Sequence, residues 1–425
     1  MTRTFALDRR QALLGVGAAA VWVGGSVMAR SRPMAFSESG VRRMETMLQD
    51  HVARGSAPGL VALVALGEET RVVAAGKMSL EDGAPPMRRD AIFRIASMTK
   101  PLTAAAALML LDEGRFRLDE PVDRLLPELA DRRVLRTLAS PLDDTVPAKR
   151  PMTIDDVFTF RLGWGVLFEP ELPIQAAVAD VPGFGMPDPT SPLTPDAFMA
   201  RLHDLPLMAQ PGERWLYTVG SNVLGVLAAR AAGQPLDVLL QERVTGPLGM
   251  TDTGFWIPRE KLGRMTTGYF PQDGKLELFD APDGRYTQPP AFPAGDSGLV
   301  STADDYGRFA RFLFSGRTPE GRQLLSPASL KLMRTNALTE AQMADGREIL
   351  GPGWGWGHGA GVLVGENPYG IANGAFGWSG GFGTSWFNDP ARSLTAILLT
   401  QRVFDGPDPP QLHKDFWRAA YAATA

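Results

Sequence analysis

FRIASMTK, residues 93–100, opens a long apolar stretch with the pattern of a helix. Within it Ser97 and Lys100 are three positions apart, and side chains with this spacing share one face of a helix. A serine hydroxyl is a weak nucleophile until a neighbouring base removes its proton. A lysine can be that base where burial or nearby positive charge keeps it partly neutral, and the free N–H groups at the helix start favour a developing anion at Ser97. The stretch therefore predicts a serine acyl-transfer enzyme.

The composition is that of a globular protein and excludes several kinds of site. The chain has 425 residues, of which 44% are hydrophobic and 21% charged, with a formal net charge of −4. This length is enough for one large domain or two intertwined ones. The sequence has no basic block of the kind that nucleic-acid binding requires, so we expect no nucleic-acid partner. The absence of cysteine excludes disulfides, thiolate nucleophiles and cysteine-ligated metals.

Histidine is scarce, which limits the alternatives to a serine–lysine site. The four histidines are His51, His203, His358 and His413, and no two of them form an H-x-x-x-H pair. Any Ser-His-Asp triad or histidine-rich metal centre would have to use these four. We expect no metal and no cofactor, and the scarcity favours the serine–lysine pair.

Residues 1–29 have the pattern of a twin-arginine-type signal peptide. Arg9 and Arg10 precede a weakly hydrophobic, Gly- and Ala-rich segment from Ala12 to about Ala29, which ends in a possible cleavage site. The alternative is a single membrane anchor, since the segment is close to the lower length limit for spanning a bilayer. Its four glycines favour the signal. The sequence thus predicts a periplasmic or secreted enzyme with no membrane contact after signal removal.

Apolar, strand-like segments at both ends of the chain predict one sheet. Residues 59–66 and 70–75 have the pattern of a hairpin of buried strands, and strand-like segments return between 384 and 400. The region between, about 118–264, is rich in helix-like segments and proline loops. This order predicts an α+β fold, with an antiparallel sheet from N- and C-terminal segments flanked by helices. The mainly helical insertion would lie within a domain of residues 37–420.

A second serine motif, GWSGG at residues 377–381, matches the G-x-S-x-G nucleophile elbow. An elbow needs a strand before the serine, a helix after it, and an acid and then a histidine downstream. His413 follows with Asp389 or Asp408 before it, but the next apolar run is strand-like and few residues remain. Ser379 is therefore the weaker candidate nucleophile.

A third motif, GDSG at residues 295–298, is similar to the serine motif of trypsin-like proteases. Those enzymes need an upstream histidine and aspartate on a two-barrel β fold. The preceding sequence lacks that density of strands, and residues 295–305 have the pattern of a tight turn leading into a helix at Thr302. We interpret this segment as a turn beneath the active site.

The ordered motifs resemble those of the serine β-lactamase and penicillin-binding-protein superfamily. Within it, the chain is most similar to class C β-lactamases and family VIII carboxylesterases. The superfamily has a serine–lysine motif, then a tyrosine motif, then a third element that usually reads Lys-Thr-Gly or His-x-Gly. The stretches that carry the resemblance are SMTKPLTA (97–104), PGERWLYTV (211–219), NVLG (222–225), PLGMTDT (247–253), GLVSTADDY (298–306) and WSG (378–380).

The resemblance implies a role for each residue of the site. Ser97 is the nucleophile that forms an acyl-enzyme, and Lys100 together with Tyr217 is the base that takes its proton. The backbone N–H groups of Ser97 and Gly381 form the oxyanion hole. The implied substrate-binding positions are Trp378, Ser379 and Gly380.

Two departures from the superfamily pattern favour an ester substrate. Val219 stands where the tyrosine motif has an asparagine that helps to hold amide-type substrates. Trp378 replaces a cationic or imidazole residue that would contact a substrate carboxylate. We therefore expect a secreted serine hydrolase that cleaves carboxylic esters, with a small-molecule ester or β-lactam-like compound as partner. The alternatives are a β-lactamase or D-amino-acid peptidase, and a non-catalytic module that binds cell-wall peptides.

Overall fold

A seven-stranded antiparallel sheet is the centre of the fold. The computed structural model describes residues 34–168 and 171–424. Its strands are β1 (Gly59–Leu66), β2 (Glu69–Gly76), β3 (Phe93–Arg94), β4 (Arg133–Leu135), β5 (Thr145–Pro147), β6 (Gly268–Gln272), β7 (Lys275–Asp280), β8 (Val300–Ser301), β9 (Trp354–Trp356), β10 (Gly361–Leu363), β11 (Phe376–Gly380), β12 (Thr384–Asp389) and β13 (Leu394–Thr400). The sheet has the order β2-β1-β13-β12-β11-β10-β9, and each of β3-β8, β4-β5 and β6-β7 is a separate pair. Strands from the two ends of the chain therefore share one sheet, which confirms the predicted fold class.

Helices surround the sheet and fill most of the chain between its N- and C-terminal strands. They are α1 (Glu38–Ala53), α2 (Thr99–Asp112), α3 (Ile154–Phe158), α4 (Pro173–Val178), α5 (Pro195–His203), α6 (Val219–Ala232), α7 (Leu236–Leu240), α8 (Ala303–Ser315), α9 (Pro327–Arg334), α10 (Glu340–Asp345), α11 (Arg347–Leu350) and α12 (Gln411–Ala422). Shorter 3-10 turns cover Ala96–Met98, Val122–Arg124, Pro127–Leu129 and Arg259–Arg264, and a π-helical turn covers Gln241–Thr245. In the described residues no single helix has the length and hydropathy to cross a membrane, although Val219–Ala232 and Leu236–Thr245, bent by 81°, reach them as a pair.

Two neighbouring inner strands, β1 and β13, are buried along their whole length. Every residue of β1 and of β13 is buried, and their antiparallel register places Leu63 opposite Ile397. A strand covered on both faces is a continuous apolar run instead of an alternation of apolar and polar residues. This explains why β1 has the sequence GLVALVAL, which contains no polar side chain.

Helices cover both faces of the sheet. Leu60 and Val64 of β1 share a buried cluster with Leu48 of α1 and Phe416 of α12. Val61 and Leu63, which point to the opposite face because strand residues alternate, belong to the main core with α2 and α8. The helix α2, which follows Ser97, is therefore held inside the main core.

The structure refines the predicted helix boundary at the candidate nucleophile. The helix expected from Ser97 onward is a 3-10 turn, Ala96–Met98, followed by α2. The signal peptide predicted for residues 1–29 lies outside the described residues.

Candidate active site

Ser97 lies in a tight turn between a short strand and a buried helix. β3 pairs with β8, and the chain then enters the 3-10 turn at Ala96, whose φ is +42°. A non-glycine residue in this region of backbone space is strained and persists where the surrounding structure fixes it. The hydroxyl of Tyr306 donates a 3.0 Å hydrogen bond to the carbonyl of Met98 and so fixes the turn from α8. Ser97 itself stays partly exposed, as a nucleophile must.

Lys100 is buried beside Ser97. Only 1% of Lys100 is exposed, and its Nζ donates to Ser97 Oγ at 3.0 Å and to the backbone oxygen of Asp296 at 3.0 Å. The same nitrogen lies 4.5 Å from the centre of the Tyr217 ring, a distance at which a cation is attracted to the ring face. The three donors of an ammonium group are thus matched by two oxygens and an aromatic face. The structure brings Ser97, Lys100 and Tyr217 together.

Tyr217 is held by an aromatic cluster and by one short hydrogen bond. Trp378 Nε1 donates to the phenolic oxygen of Tyr217 at 2.6 Å. Among the described residues, the Tyr217 hydroxyl has this hydrogen bond and none to Ser97. The ring of Tyr217 is stacked on Trp215, with centroids 5.6 Å apart. The remaining rings in contact with Tyr217 belong to Phe160, Trp356 and Trp378.

The strand β11 packs closely against the turn that carries Ser97. A Cβ on Gly380 would collide with the backbone oxygen of Ile95, so only glycine allows this approach. Gly381, the next residue, has open space on its Cα, and its carbonyl accepts a 2.8 Å hydrogen bond from the amide of Phe404. In the described part of the chain, no backbone carbonyl accepts from the Gly381 amide. The amide is therefore free to bind a substrate oxygen.

A cavity of about 340 Å³ opens in front of Ser97. Pockets of this size hold small organic ligands. Its walls are mostly aromatic and aliphatic, and its charged lining residues are Arg347, Glu348 and Asp408. The site residues in its lining are Ser97, Tyr217, Trp378, Ser379 and Gly381.

The competing serine motifs do not assemble a triad. Ser379 lies inside β11, which turns directly into β12 without the helix that an elbow requires. His413 bonds instead to Ser385, with Nδ1 and Oγ 2.9 Å apart, and burial lowers the pKa of His413 to about 3. Ser297 Oγ donates to the Asp296 carboxylate at 2.6 Å. The GDSG segment therefore lies beneath the site, as the sequence predicts.

The described ranges contain no candidate metal site, because no three or more His, Asp or Glu residues lie close enough together to hold an ion. His358 bonds to Asp155 at 2.8 Å and His51 to Asp415 at 3.1 Å. Each of these histidines thus has a carboxylate partner away from the cavity.

Comparison with known proteins identifies the family. A family model described as Beta-lactamase matches residues 44–419. The chain belongs to the beta-lactamase family. Within it, the chain is 40% identical over 333 residues to an uncharacterised protein of Mycobacterium tuberculosis, covering 76% of this chain and 80% of that protein.

Two further relatives indicate the kind of enzyme. The chain is 31% identical over 402 residues to esterase EstB of Burkholderia gladioli, covering 89% of this chain and 95% of EstB. Among solved structures it is similar to EstCE1, described as a hydrolase with promiscuous acyltransferase activity. The TM-score is 0.74 and the identity 25%, and the likeness covers 91% of this chain and 98% of EstCE1. The chain is therefore a hydrolase of the beta-lactamase family, and the predicted superfamily and enzyme class are confirmed.

Two features of the site were missed by the sequence analysis. Trp378 was expected to line the substrate cleft, but it also holds the hydroxyl of Tyr217. Asp296 was placed in a turn below the site, but its backbone oxygen binds Lys100. Trp378 stands in WSG, one of the stretches that resemble the superfamily, whereas nothing in the GDSG segment indicates the contact between Asp296 and Lys100.

Proposed function

We propose that this protein is a carboxylesterase that acts through an acyl-enzyme on Ser97, with Lys100 and Tyr217 as the base system. One observation carries the proposal. Lys100 Nζ lies 3.0 Å from Ser97 Oγ and faces the Tyr217 ring, whose hydroxyl is fixed by Trp378. This is the arrangement of a serine hydroxyl activated by an adjacent, oriented base.

In the first half of the reaction, Ser97 Oγ bonds to the ester carbonyl carbon and its proton passes to the Lys100–Tyr217 pair. The carbonyl oxygen becomes an oxyanion, stabilised by the amides of Ser97 and Gly381. When this intermediate collapses, the bond from carbon to the alkoxy oxygen breaks. Tyr217 returns the proton to the leaving alcohol, and an acyl-enzyme remains.

In the second half, water attacks the acyl carbon and gives one proton to Tyr217. The bond from carbon to Ser97 Oγ then breaks, Ser97 takes the proton back, and the carboxylic acid leaves. Tyr217 acts as base and then acid in each half. The hydrogen bond from Trp378 stabilises a negative charge on the phenolic oxygen, which favours this role.

An uncharged ester fits the cavity better than an anionic β-lactam. Trp378 puts an indole where the superfamily motif usually has a lysine or a histidine, and its N–H is already used by Tyr217. Val219 is fully buried, so its side chain cannot contact a substrate. The cavity lining contains one cation, Arg347, together with the acidic residues Glu348 and Asp408. Elsewhere a substrate carboxylate would meet mostly apolar walls, where an unpaired charge is costly.

The test is hydrolysis of p-nitrophenyl butyrate and nitrocefin by the wild type, Ser97→Ala and Ser379→Ala. We expect ester hydrolysis to dominate, Ser97→Ala to abolish it and Ser379→Ala to reduce it only in part. The reverse pattern of the two variants would overturn the nucleophile. Dominant nitrocefin turnover would favour a β-lactamase. Failure of any ester or β-lactam to add an acyl mass to Ser97 would favour a non-catalytic binding module.

Acyl transfer is a second candidate, favoured by the apolar cavity and by the promiscuous acyltransferase activity in the description of EstCE1. An apolar site admits an alcohol in place of water at the acyl-enzyme. Adding 1-butanol to the butyrate assay would then yield butyl butyrate at the expense of butyric acid. A ratio of butyl butyrate to butyric acid equal to that of the uncatalysed reaction would exclude acyl transfer.

We also propose that the protein is exported, on the pattern of residues 1–29. Mass spectrometry of the N-terminus after expression with and without the Arg9 and Arg10 pair would test this. We expect export, with cleavage near Ala29, when Arg9 and Arg10 are present and no export when they are replaced.

A further inference from the structure

One buried acidic residue contacts Lys100 and the residue that follows Tyr217. Asp296 is 5% exposed, and its backbone oxygen accepts from Lys100 Nζ at 3.0 Å. Its carboxylate accepts from Thr218 Oγ1 at 3.2 Å, and Thr218 directly follows Tyr217. The amide of Asp296 also donates to Asn222 Oδ1 at 3.1 Å, in the first turns of α6. Asp296 thus joins the lysine to the segment that carries the tyrosine.

The backbone next to Tyr217 needs such an anchor. Thr218 has φ +136° and ψ −29°, which is unusual for a β-branched residue. Strained residues persist where neighbouring contacts fix them, and they concentrate at functional sites. The hydroxyl of Thr218, held by Asp296, is the polar contact that the structure gives to this side chain. Loss of that contact would let Tyr217 move relative to Lys100.

The carboxylate of Asp296 is held by hydroxyl groups and not by a cation. In the described ranges, no Lys, Arg or His nitrogen forms an ion pair within 4.0 Å of it. The donors to the Asp296 carboxylate are the hydroxyls of Ser297 and Thr218. A buried charge is tolerated when an opposite charge or hydrogen bonds compensate it. These two hydroxyl donors therefore compensate the burial of the carboxylate and fix its position.

Other ionisable side chains around α2 are engaged elsewhere. Lys100 itself contacts two ionisable residues, Tyr217 through its ring and Asp296 through its backbone oxygen. The pairs formed by the others are Arg230 with Glu128 and Asp196, Asp112 with Ser326 and Ser329, His358 with Asp155, Arg94 with Asp280, and Arg334 over the ring of Phe376.

We propose that Asp296 is a positioning residue of this enzyme, which ties Lys100 to the segment that carries Tyr217. The inference rests on the proposed function of Ser97, Lys100 and Tyr217. With Asp296 in place, Lys100 Nζ is held 3.0 Å from Ser97 Oγ and 4.5 Å from the centre of the Tyr217 ring. The GDSG segment, which resembles a nucleophile motif, thus serves the reaction through its aspartate.

The test is Asp296→Asn, assayed with p-nitrophenyl butyrate. The amide keeps the size of the side chain and an acceptor for Thr218 but removes the charge. We expect kcat to fall roughly 10- to 100-fold with KM within about twofold of wild type. A fall in kcat with little change in KM is the result expected when Lys100 and Tyr217 are displaced from each other while the substrate cavity is unchanged.

Asp389→Asn is the matched control. Asp389 is a buried carboxylate that accepts from a hydroxyl, Tyr421, and from an amide, Ala391, at the end of β12 away from Ser97, and it lies 3.8 Å from Arg392 Nε. Its loss is expected to lower the unfolding midpoint and leave kcat unchanged. A purely structural role of Asp296 would give the same result as this control and would overturn the proposal.

Asp296→Glu decides the question if Asp296→Asn does not fold. It keeps the carboxylate but moves it relative to Thr218, so kcat should fall by more than KM changes. An unchanged kcat overturns the proposal. An inactive wild type, or an active Ser97→Ala, would instead overturn the proposed function.

Discussion

Trp378 Nε1 donates a 2.6 Å hydrogen bond to the phenolic oxygen of Tyr217, across 161 positions of sequence. The same indole lines the cavity in front of Ser97. Trp378 therefore contacts both the space for a substrate and the hydroxyl of the proposed base.

Replacing this donor gives the first prediction. Trp378→Phe keeps an aromatic wall but loses the N–H. A hydrogen bond to a charged oxygen contributes about 1.5–3 kcal/mol, so kcat/KM for p-nitrophenyl butyrate should fall roughly 10- to 100-fold. Trp354→Phe, in the cavity wall but without a bond to Tyr217, should change KM more than kcat. Equal effects of the two variants on kcat would contradict the role of Trp378.

The close approach of β11 gives the second prediction. Gly380→Ala would place a methyl group against the Ile95 oxygen and Thr384 Oγ1, so β11 must move away from the Ser97 turn. Misplacing an oxyanion-hole donor costs about 100- to 1,000-fold in kcat. Steady-state kinetics of Gly380→Ala measure this. Gly263→Ala, at a position with open space, is the control and should retain wild-type kcat.

A buried ion pair below the Ser97 turn gives the third prediction. Arg94 of β3 donates to Asp280 at 2.6 Å, and both side chains are less than 5% exposed. Asp280→Ala leaves a buried guanidinium without its counter-charge, which should lower the free energy of unfolding by about 3–5 kcal/mol. Urea denaturation measures this free energy of unfolding. The control is Asp119→Ala, which removes the exposed partner of Arg117. It should leave the urea midpoint of unfolding unchanged. Similar midpoints for the two variants would show that the buried pair is not required.

His413 gives the fourth prediction, on pH and stability. Burial, with smaller contributions from Arg402 and His51, lowers the pKa of His413 from 6.5 to about 3. Between these values the unfolded chain binds a proton that the folded chain does not, so stability is complete above pH 6.5 and is lost as pH falls towards 3. The loss at pH 3 is on the order of a few kcal/mol.

The check is urea denaturation of wild type and His413→Asn from pH 3 to 8. The variant lacks the titrating group, so its stability should fall less steeply below pH 6.5, even though it starts lower at pH 8 through the lost contact with Ser385. Parallel pH curves would show that His413 does not titrate on unfolding.

The sequence predicts the fold well because its signals are local. The apolar run of β1 and the serine and lysine of residues 97–100 each specify structure within a few residues. Ser97 was expected at the start of an α-helix, but it lies in the 3-10 turn directly before α2. Local sequence signals could not predict this difference. The φ of +42° at Ala96 and the 3-10 turn depend on β8 and Tyr306, about 200 positions away.

Contacts between distant segments could not be predicted from the pattern. The bond from Lys100 to Asp296 joins residues 196 apart, and nothing in the GDSG segment indicates that a backbone oxygen will meet an amine. Ser379 could be rejected as an elbow from the strand-like residues that follow it. That His413 would bond to Ser385 instead required the structure, because the register of β11 and β12 decides which serine faces α12.

The pairing of β1 with β13 has a consequence for how the enzyme is made. These strands are neighbours inside the sheet, yet Leu63 and Ile397 are far apart along the chain. During synthesis the first hairpin emerges long before its partner, and closing such a distant contact slows folding. The nascent hairpin therefore keeps one apolar edge unpaired until β13 has left the ribosome. The sheet that packs against the Ser97 turn is completed only at that stage.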